Sequence, residues 1–247
     1  MNWVFPIAGH GTRTSMFGEY KPQIEVYPNY SILKLCLMGL KSLIKETDTL
    51  VFAASKQQEK EYSVTHNIKK VLKELNLNNN VHMAILEQTP PGQALTVKKA
   101  VQSLCDSRKK DGTFIINSDQ VVFFDIKSID KDYNSVGLYF NDGTSSCFYD
   151  LDFHNKRVTN IKEKEKISCY ASAGVFFFTS GEQVMECIEW GQKEQKLYNN
   201  ELYLGPCMEY FKEIKYFKTM IKFDLGNENS LNLFKKFTKQ ILIEEKR

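Results

Sequence analysis

Apolar and polar positions along the first half of the chain switch repeatedly between a short continuous period and a helical one. Val4 to Ala8 is an apolar run long enough for a buried strand. From Ser31 to Leu43 the apolar residues Ile32, Leu33, Leu35, Leu37, Leu40 and Leu43 recur at helical spacing. Thr49 to Ala54 is strand-like again, and the charged stretch Gln57 to Leu75 carries Val64, Ile68, Val71, Leu72 and Leu75 as a helical stripe. His82 to Leu86 reads as a third strand, Ala94, Val97, Val101, Leu104 and Cys105 as a third helical face, and Phe114-Ile115-Ile116 as a fourth strand. That β-α-β-α-β-α-β order implies a parallel, doubly wound sheet joined by right-handed crossovers.

The second half has a different texture. Ser135 to Phe140, Cys147 to Asp152, Arg157 to Ile161 and Ala173 to Phe178 are short, aromatic-rich strand candidates. Asn141-Asp142-Gly143 is a turn signal between the first two. A helix is predicted near Glu182 to Trp190. Asn227 can cap a last helix with Leu231, Phe234, Phe237 and Ile241 on its inner face. No Gly/Ser/Pro-rich linker interrupts the chain, so the expectation is one domain over 1–247, its second half a mixed, partly antiparallel extension of the first sheet.

In parallel sheets ligands bind beyond the carboxyl ends of the strands. The loop after the first strand is Gly9-His10-Gly11-Thr12-Arg13, and the loop after the fourth contains Asn117-Ser118-Asp119. Glycines let successive backbone N–H groups approach an oxyanion. The loop is not a dinucleotide fingerprint, because Thr14 stands where the third glycine belongs, and no Gly-Lys-Ser/Thr follows to make a triphosphate-binding P-loop. Arg13 and Lys21 place two cations near it, enough to neutralise much of a triphosphate.

Composition narrows the classes. The 33 basic and 30 acidic residues leave a net charge of +3, evenly scattered, which argues against a nucleic-acid or anionic-membrane surface. The six cysteines form no CxxC pair, which excludes a zinc ribbon and argues against a disulfide framework. His66, His82 and His154 form no ligand-like cluster, and His10 reads as a variable loop residue. No GxSxG marks a serine nucleophile. With no signal-like or membrane-length apolar segment, the expectation is a reduced, soluble, cytoplasmic protein. Nothing in the pattern specifies an oligomeric state.

Gly9-x-Gly11-Thr12-Arg13, a short variable stretch, Lys21-Pro22, the apolar Ile24-Glu25-Val26 and a following helix together resemble the signature of the nucleotidyltransferase superfamily. This group holds the sugar-1-phosphate nucleotidylyltransferases, or NDP-sugar pyrophosphorylases, and small cytidylyltransferases for phosphocholine-like substrates. The resemblance runs through nearly the whole chain. Tyr30-Ser31-Ile32-Leu33 is similar to the family's helix start, and Gln88-Thr89-Pro90-Pro91-Gly92-Gln93-Ala94 to its nucleobase-contacting segment. Asp119 resembles its metal-binding acid, Glu163-Lys164 its substrate-facing pair, and Ala173-Gly174-Val175-Phe176-Phe177-Phe178 the strand that follows. Asp224-Leu225-Gly226-Asn227 resembles the motif of the second metal acid.

The resemblance implies a Rossmann-like three-layer α/β/α sandwich of the nucleotide-diphospho-sugar transferase type, with a mostly parallel mixed sheet. Residues 1–125 would bind nucleotide and 126–247, with the C-terminal helix, the acceptor. It implies Mg²⁺-dependent coupling of a nucleoside triphosphate to a phosphorylated acceptor, foremost a sugar 1-phosphate, releasing pyrophosphate. The product would serve surface polysaccharide or glycoconjugate synthesis. Ala8, Gly9, Gly11 and Thr12 would cradle the nucleotide, with Arg13 on its β- and γ-phosphates and Lys21 on the α-phosphate. Gln88 and Gly92 would meet the base, Glu163, Lys164 and Gly174 the acceptor, and Asp119 and Asp224 the Mg²⁺.

Three departures leave base and acceptor open: a short arginine-to-lysine spacing, Tyr20 where proline is usual, and Asn227 in place of threonine. Glu201 is a candidate for contact with a substrate hydroxyl or amine, but reads better as a solvated side chain. A cytidylyltransferase for a phosphorylated amino alcohol or amino acid is the first alternative. A nucleotide-sugar-dependent glycosyltransferase is the second; its Asp-x-Asp-like metal motif has Ser118-Asp119-Gln120 and Asp150-Leu151-Asp152 as candidates. Retention of Arg13, Lys21, Asp119 and Asp224 argues against a catalytically silent subunit.

Overall fold

The apolar runs of the first half become strands, and the amphipathic stretches between them pack on both faces. The computed structural model describes residues 1–9 and 20–244, with side chains through Lys239. Strand β1 (Asn2–Pro6) buries Trp3, Val4 and Phe5 completely. It ends two residues earlier than the apolar run predicts, at Pro6, which has no N–H to give; Ile7 N then bonds Ala53 O at 3.0 Å. A small hairpin, β2 (Glu25–Tyr27) and β3 (Tyr30–Ser31), leads into α1 (Ile32–Leu40), where Ser31 caps by accepting from Lys34 N. Strand β4 (Thr49–Ser55) is buried along its full length.

The single helix expected over Gln57 to Leu75 is two, α2 (Lys56–Tyr62) and α3 (Val64–Glu74). Ser63 breaks them with a left-handed φ of 47°. The reason lies in the apolar stripe, which starts only at Val64: α3 buries Val64, Ile68 and Leu72, whereas α2 is held by a Ser55–Gln58 capping box. Strand β5 (Asn80–Leu86), α4 (Gln93–Gln102), the short α5 (Asp106–Lys109) and β6 (Thr113–Ile116) complete the alternating half. Cys105, expected on the inner face of the third helix, lies beyond α4 and is exposed.

Strands β7 (Gln120–Phe124), β8 (Ser135–Phe140), β9 (Cys147–Asp152), β10 (Arg157–Glu163) and β11 (Tyr170–Phe178) follow, then α6 (Gly181–Lys193). A two-stranded ladder, β12 (Leu197–Tyr198) and β13 (Glu201–Leu202), precedes α7 (Leu204–Cys207). The long β14 (Lys215–Asp224) and α8 (Glu228–Glu244) end the described chain. The turn at Asn141–Gly143 forms, with Gly143 N on Asn141 Oδ1 at 2.9 Å, but β8 and β9 are each paired with β11 instead of with each other.

All the main strands belong to one 10-stranded sheet in the order β5-β4-β1-β6-β11-β8-β14-β10-β9, with β7 added on β14. Strands β5, β4, β1, β6, β8, β14 and β9 run one way and β11, β10 and β7 the other. The sheet is therefore mixed and mostly parallel, and the β9–β11 pairing curls its distal strands into a ring. Alternation of side chains divides the core. Trp3, Phe5, Phe52 and Phe114 pack with α1 and α3, and Val4, Val51 and Ile115 with α4 and α6. The result is a three-layer α/β/α sandwich. Helix α8 buries Leu231 and Phe234 beside Ile24, Val26 and Leu225. Phe237, expected on that inner face, is 45% exposed, its ring 5.2 Å from that of Phe223; Ile241 lies outside the described side chains.

Candidate functional site

Parallel pairing of β1 with β6 brings the segments after them out of the sheet side by side. One is Ile7-Ala8-Gly9 and the other Asn117-Ser118-Asp119. Antiparallel pairing of β14 with β7 sets Asp224 opposite Gln120, so Leu225 N reaches Asp119 O at 2.8 Å. Two carboxylates separated by 105 positions therefore arrive at one place. Lys21 joins them, its Nζ bonding Asp119 Oδ2 at 2.6 Å.

Gly226 shows how tightly the three converge. A Cβ on it would lie 2.8 Å from Asp119 Oδ2, 2.8 Å from Asp224 Oδ1 and 3.4 Å from Lys21 Nζ. The two carboxylate oxygens thus face a common point, kept clear by the missing side chain. Asp224 is fixed by Gly226 N at 2.9 Å on Oδ1, and by Asn227 Nδ2 and Ser230 Oγ, each 3.2 Å from Oδ2. Asn227 also accepts from Ser230 N at 3.0 Å, so this one residue caps α8 and braces the acid together.

Lys21 owes its position to Tyr20. That ring is buried, stacks on Tyr62 at 5.3 Å and donates its hydroxyl to Ile7 O at 2.6 Å. Burial, with the Glu59 charge adding to it, pushes the Tyr20 hydroxyl's pKa far up, so it stays a neutral donor. Lys21–Gln23 then forms one 3₁₀ turn, with Gln23 Nε2 on Tyr62 O at 3.0 Å. The start of the glycine loop is pinned as well: Ala8 O accepts from Gln58 Nε2 and Thr89 Oγ1, and Gly9 O from Gln58 Nε2. His10, Gly11, Thr12 and Arg13 lie outside the described residues.

The segment expected to meet the nucleobase follows β5 and leads into α4. Gln88 is exposed at the end of β5. Gly92 has a φ of +98°, and a Cβ there would overlap the Leu202 backbone, so its close approach is to β13. Gly174 sits where β11 shifts register and abuts the Asn117 side chain; Asn117 N bonds Gly174 O at 2.9 Å. Gln93 Nε2 donates to Asn117 Oδ1, so α4 is tied, two residues before Asp119, to the segment that joins β6 to β11. These amides and Gly226 were given no role of their own in the sequence, and Tyr20 figured there only as a departure from proline.

Glu163 and Lys164 end β10 beside the β12–β13 ladder. Lys164 Nζ lies 5.5 Å from the Tyr203 ring centre and 5.9 Å from that of Tyr198, within cation–π range. Glu201 is exposed and accepts from Tyr203 Oη at 2.6 Å, in keeping with its solvated reading. Burial raises the Glu163 carboxyl above its ordinary pKa, against the opposing effects of the Cys147 thiol and the Lys164 charge. Between the unfolded and the folded pKa the native state binds more protons, so this group's share of stability is lost as pH rises through the folded value. Melting curves between about pH 4 and pH 7 should show wild type losing stability relative to Glu163→Gln as pH increases. A constant difference between the two proteins would contradict that assignment.

A hard cation fits the acid pair. Two carboxylate oxygens facing a clear point supply the donor type that Mg²⁺ takes, and Mg²⁺ commonly uses one or two carboxylates, keeping its other positions for water and phosphate. Among the described residues no group of three or more His, Cys, Asp or Glu side chains gathers into a cage. Asp150 and Asp152 offer no second centre: Asp152 is committed to Asn155 and Arg157, which lower its carboxyl to about 2.

No family model and no curated protein sequence matches the chain. Solved structures do. The nucleoside-diphosphate-sugar pyrophosphorylase of Vibrio cholerae RC9 superposes with a TM-score of 0.81 at 18% identity, covering 95% of this chain and 99% of that one. A UDP-glucose pyrophosphorylase complexed with UDP-glucose gives 0.72 at 14% identity over 97% and 98%. The inositol-1-phosphate CTP transferase of T. maritima gives 0.69 at 14% identity over 93% and 90%. The chain thus has the fold of these nucleotidyltransferases over nearly its whole described length. No helix among the described residues is long and apolar enough to cross a membrane.

Proposed function

We propose that the chain is a Mg²⁺-dependent nucleotidyltransferase that joins a nucleoside triphosphate to a phosphorylated acceptor, foremost a sugar 1-phosphate, and releases pyrophosphate. The observation that carries this reading is the convergence of Lys21, Asp119 and Asp224 around Gly226 at the ends of strands. The fold likeness to pyrophosphorylases and to a CTP transferase supports it. The polysaccharide destination, the cytoplasmic setting and the organisation as one domain over 1–247 belong to the same proposal.

In this reaction a phosphate oxygen of the acceptor attacks the α-phosphorus of the nucleotide while pyrophosphate leaves on the opposite side. Both reactants are anions, so the protein's work is charge neutralisation and alignment. Asp119 and Asp224 would hold Mg²⁺, which when bound neutralises phosphate charge and orients the oxygens it ligates. Lys21, on its braced turn, would meet the α-phosphate, where charge builds in the transition state. Arg13 would hold the departing β- and γ-phosphates through its planar set of donors. Gly9, Gly11 and Thr12 would wrap the triphosphate with backbone N–H groups, their start fixed through Ala8 and Gln58. Lys164 would hold the acceptor phosphate, with Glu163 and the Gly174 strand shaping the space beside it.

The test is a matrix of ATP, CTP, GTP, UTP and dTTP against glucose 1-phosphate, inositol 1-phosphate and phosphocholine, with Mg²⁺ and a pyrophosphate readout. One pairing should release pyrophosphate well above the rest; phosphocholine with CTP would select the cytidylyltransferase alternative. Consumption of a nucleotide sugar with no pyrophosphate from any pairing would overturn the proposal in favour of glycosyl transfer.

A further inference from the structure

The acid pair already has a cation of its own. Lys21 Nζ bonds Asp119 Oδ2 at 2.6 Å and stands 3.4 Å from the same Gly226 point that Asp119 Oδ2 and Asp224 Oδ1 approach to 2.8 Å. Only 14% of the lysine side chain and 28% of the aspartate side chain are exposed, so solvent screens this pair incompletely. The backbone beneath Lys21 is held in its 3₁₀ turn by Tyr20 and Gln23. The freedom left is in the four-carbon arm, which can carry the ammonium to another anion while the turn stays in place.

From this geometry, and resting on the reading of Asp119 and Asp224 as the metal-holding acids, we infer that Lys21 competes with the divalent ion for the acid pair and so couples metal binding to nucleotide binding. A divalent ion between the two carboxylates would sit beside the ammonium, and like charges at that separation repel strongly in a partly desolvated site. Without nucleotide, Lys21 stays bonded to Asp119, and keeping it there opposes the metal. An arriving triphosphate gives the ammonium a new partner in the α-phosphate, and the opposition ends. The same lysine therefore serves as a place-holder for the metal before the nucleotide enters and as a phosphate clamp afterwards. Metal and nucleotide enter together because each removes an obstacle to the other.

Mn²⁺ alone is the probe, its binding to the full chain followed by electron paramagnetic resonance or calorimetry without nucleotide. Wild type should bind Mn²⁺ weakly, and Lys21→Met at least about tenfold more tightly, with Lys21→Gln behaving alike and Lys21→Arg remaining weak. Thermal melts of each variant establish that it is folded, and the glutamine variant serves if the methionine one is not. Equal or weaker Mn²⁺ binding by folded Lys21→Met and Lys21→Gln would overturn the competition. The metal assignment would then still stand provided Asp119→Asn loses the Mn²⁺ that wild type binds. Absence of Mn²⁺ binding from every variant and from wild type would overturn the inference and the metal assignment together.

Discussion

Replacing Asp119 with asparagine should lower pyrophosphate release by about a thousandfold at saturating Mg²⁺ while leaving the protein folded. The substitution keeps the shape of the side chain and removes its charge. A neutral amide oxygen is a poor partner for a hard divalent cation and a weaker one for Lys21, whose Nζ now bonds Asp119 Oδ2 at 2.6 Å. One change thus withdraws the charge that would anchor the metal and the charge that holds the lysine in the site. The fold should survive because the structural work at this position is done by the main chain, where Asp119 O accepts from Leu225 N. Asp224 Oδ1 stays at the same Gly226 point, so the Lys21 ammonium keeps a carboxylate nearby when Asp119 loses its charge. Turnover at wild-type Mg²⁺ concentrations is the measurement, with a thermal melt beside it. Activity within tenfold of wild type would remove Asp119 from the chemistry.

The parallel half of this fold was legible because its elements obey one period each. Four apolar runs became β1, β4, β5 and β6, and the helical stripes between them became α1, α3 and α4. The distal half was legible as strands but not as pairings. A turn at Asn141–Gly143 shows where the chain bends and says nothing about which strand lies alongside, and β11 takes both neighbours. Strand β14 went unread because Lys215, Lys218 and Lys222 interrupt it and no clean alternation of burial runs along it. Yet β14 is what delivers Asp224 to Asp119.

The site divides in the same way. Lys21, Asp119 and Asp224 were each found by motif, and the fold brings all three together. Gly226 gained its meaning only in three dimensions, since a missing side chain signals nothing until two carboxylates are seen to face it. Tyr20 stood out in the sequence only as a departure from proline. In the structure its buried hydroxyl and its stacking on Tyr62 do the bracing on which the position of Lys21 depends.

Gly92→Ala tests the point at which motif and structure assign different work to one residue. The motif gives Gly92 to the nucleobase, in which case alanine should weaken nucleotide binding and leave stability alone. The structure gives it to the protein's own backbone. At a φ of +98° and ψ of 155° an L side chain is strained by about 1–3 kcal/mol, and its Cβ would overlap the Leu202 N and carbonyl groups. Leu202 cannot simply turn aside: it is fully buried in the core shared with α4 and α6, and it pairs with Leu197 across the β12–β13 ladder. The two effects together should cost about 3–5 kcal/mol, which for a chain of this size lowers Tm by about 10 °C. The displaced ladder carries Tyr198 and adjoins Tyr203, the rings that face Lys164, so the KM for the acceptor should rise along with the loss of stability. An unchanged Tm with a raised nucleotide KM alone would return Gly92 to the nucleobase and leave the close approach to Leu202 without consequence.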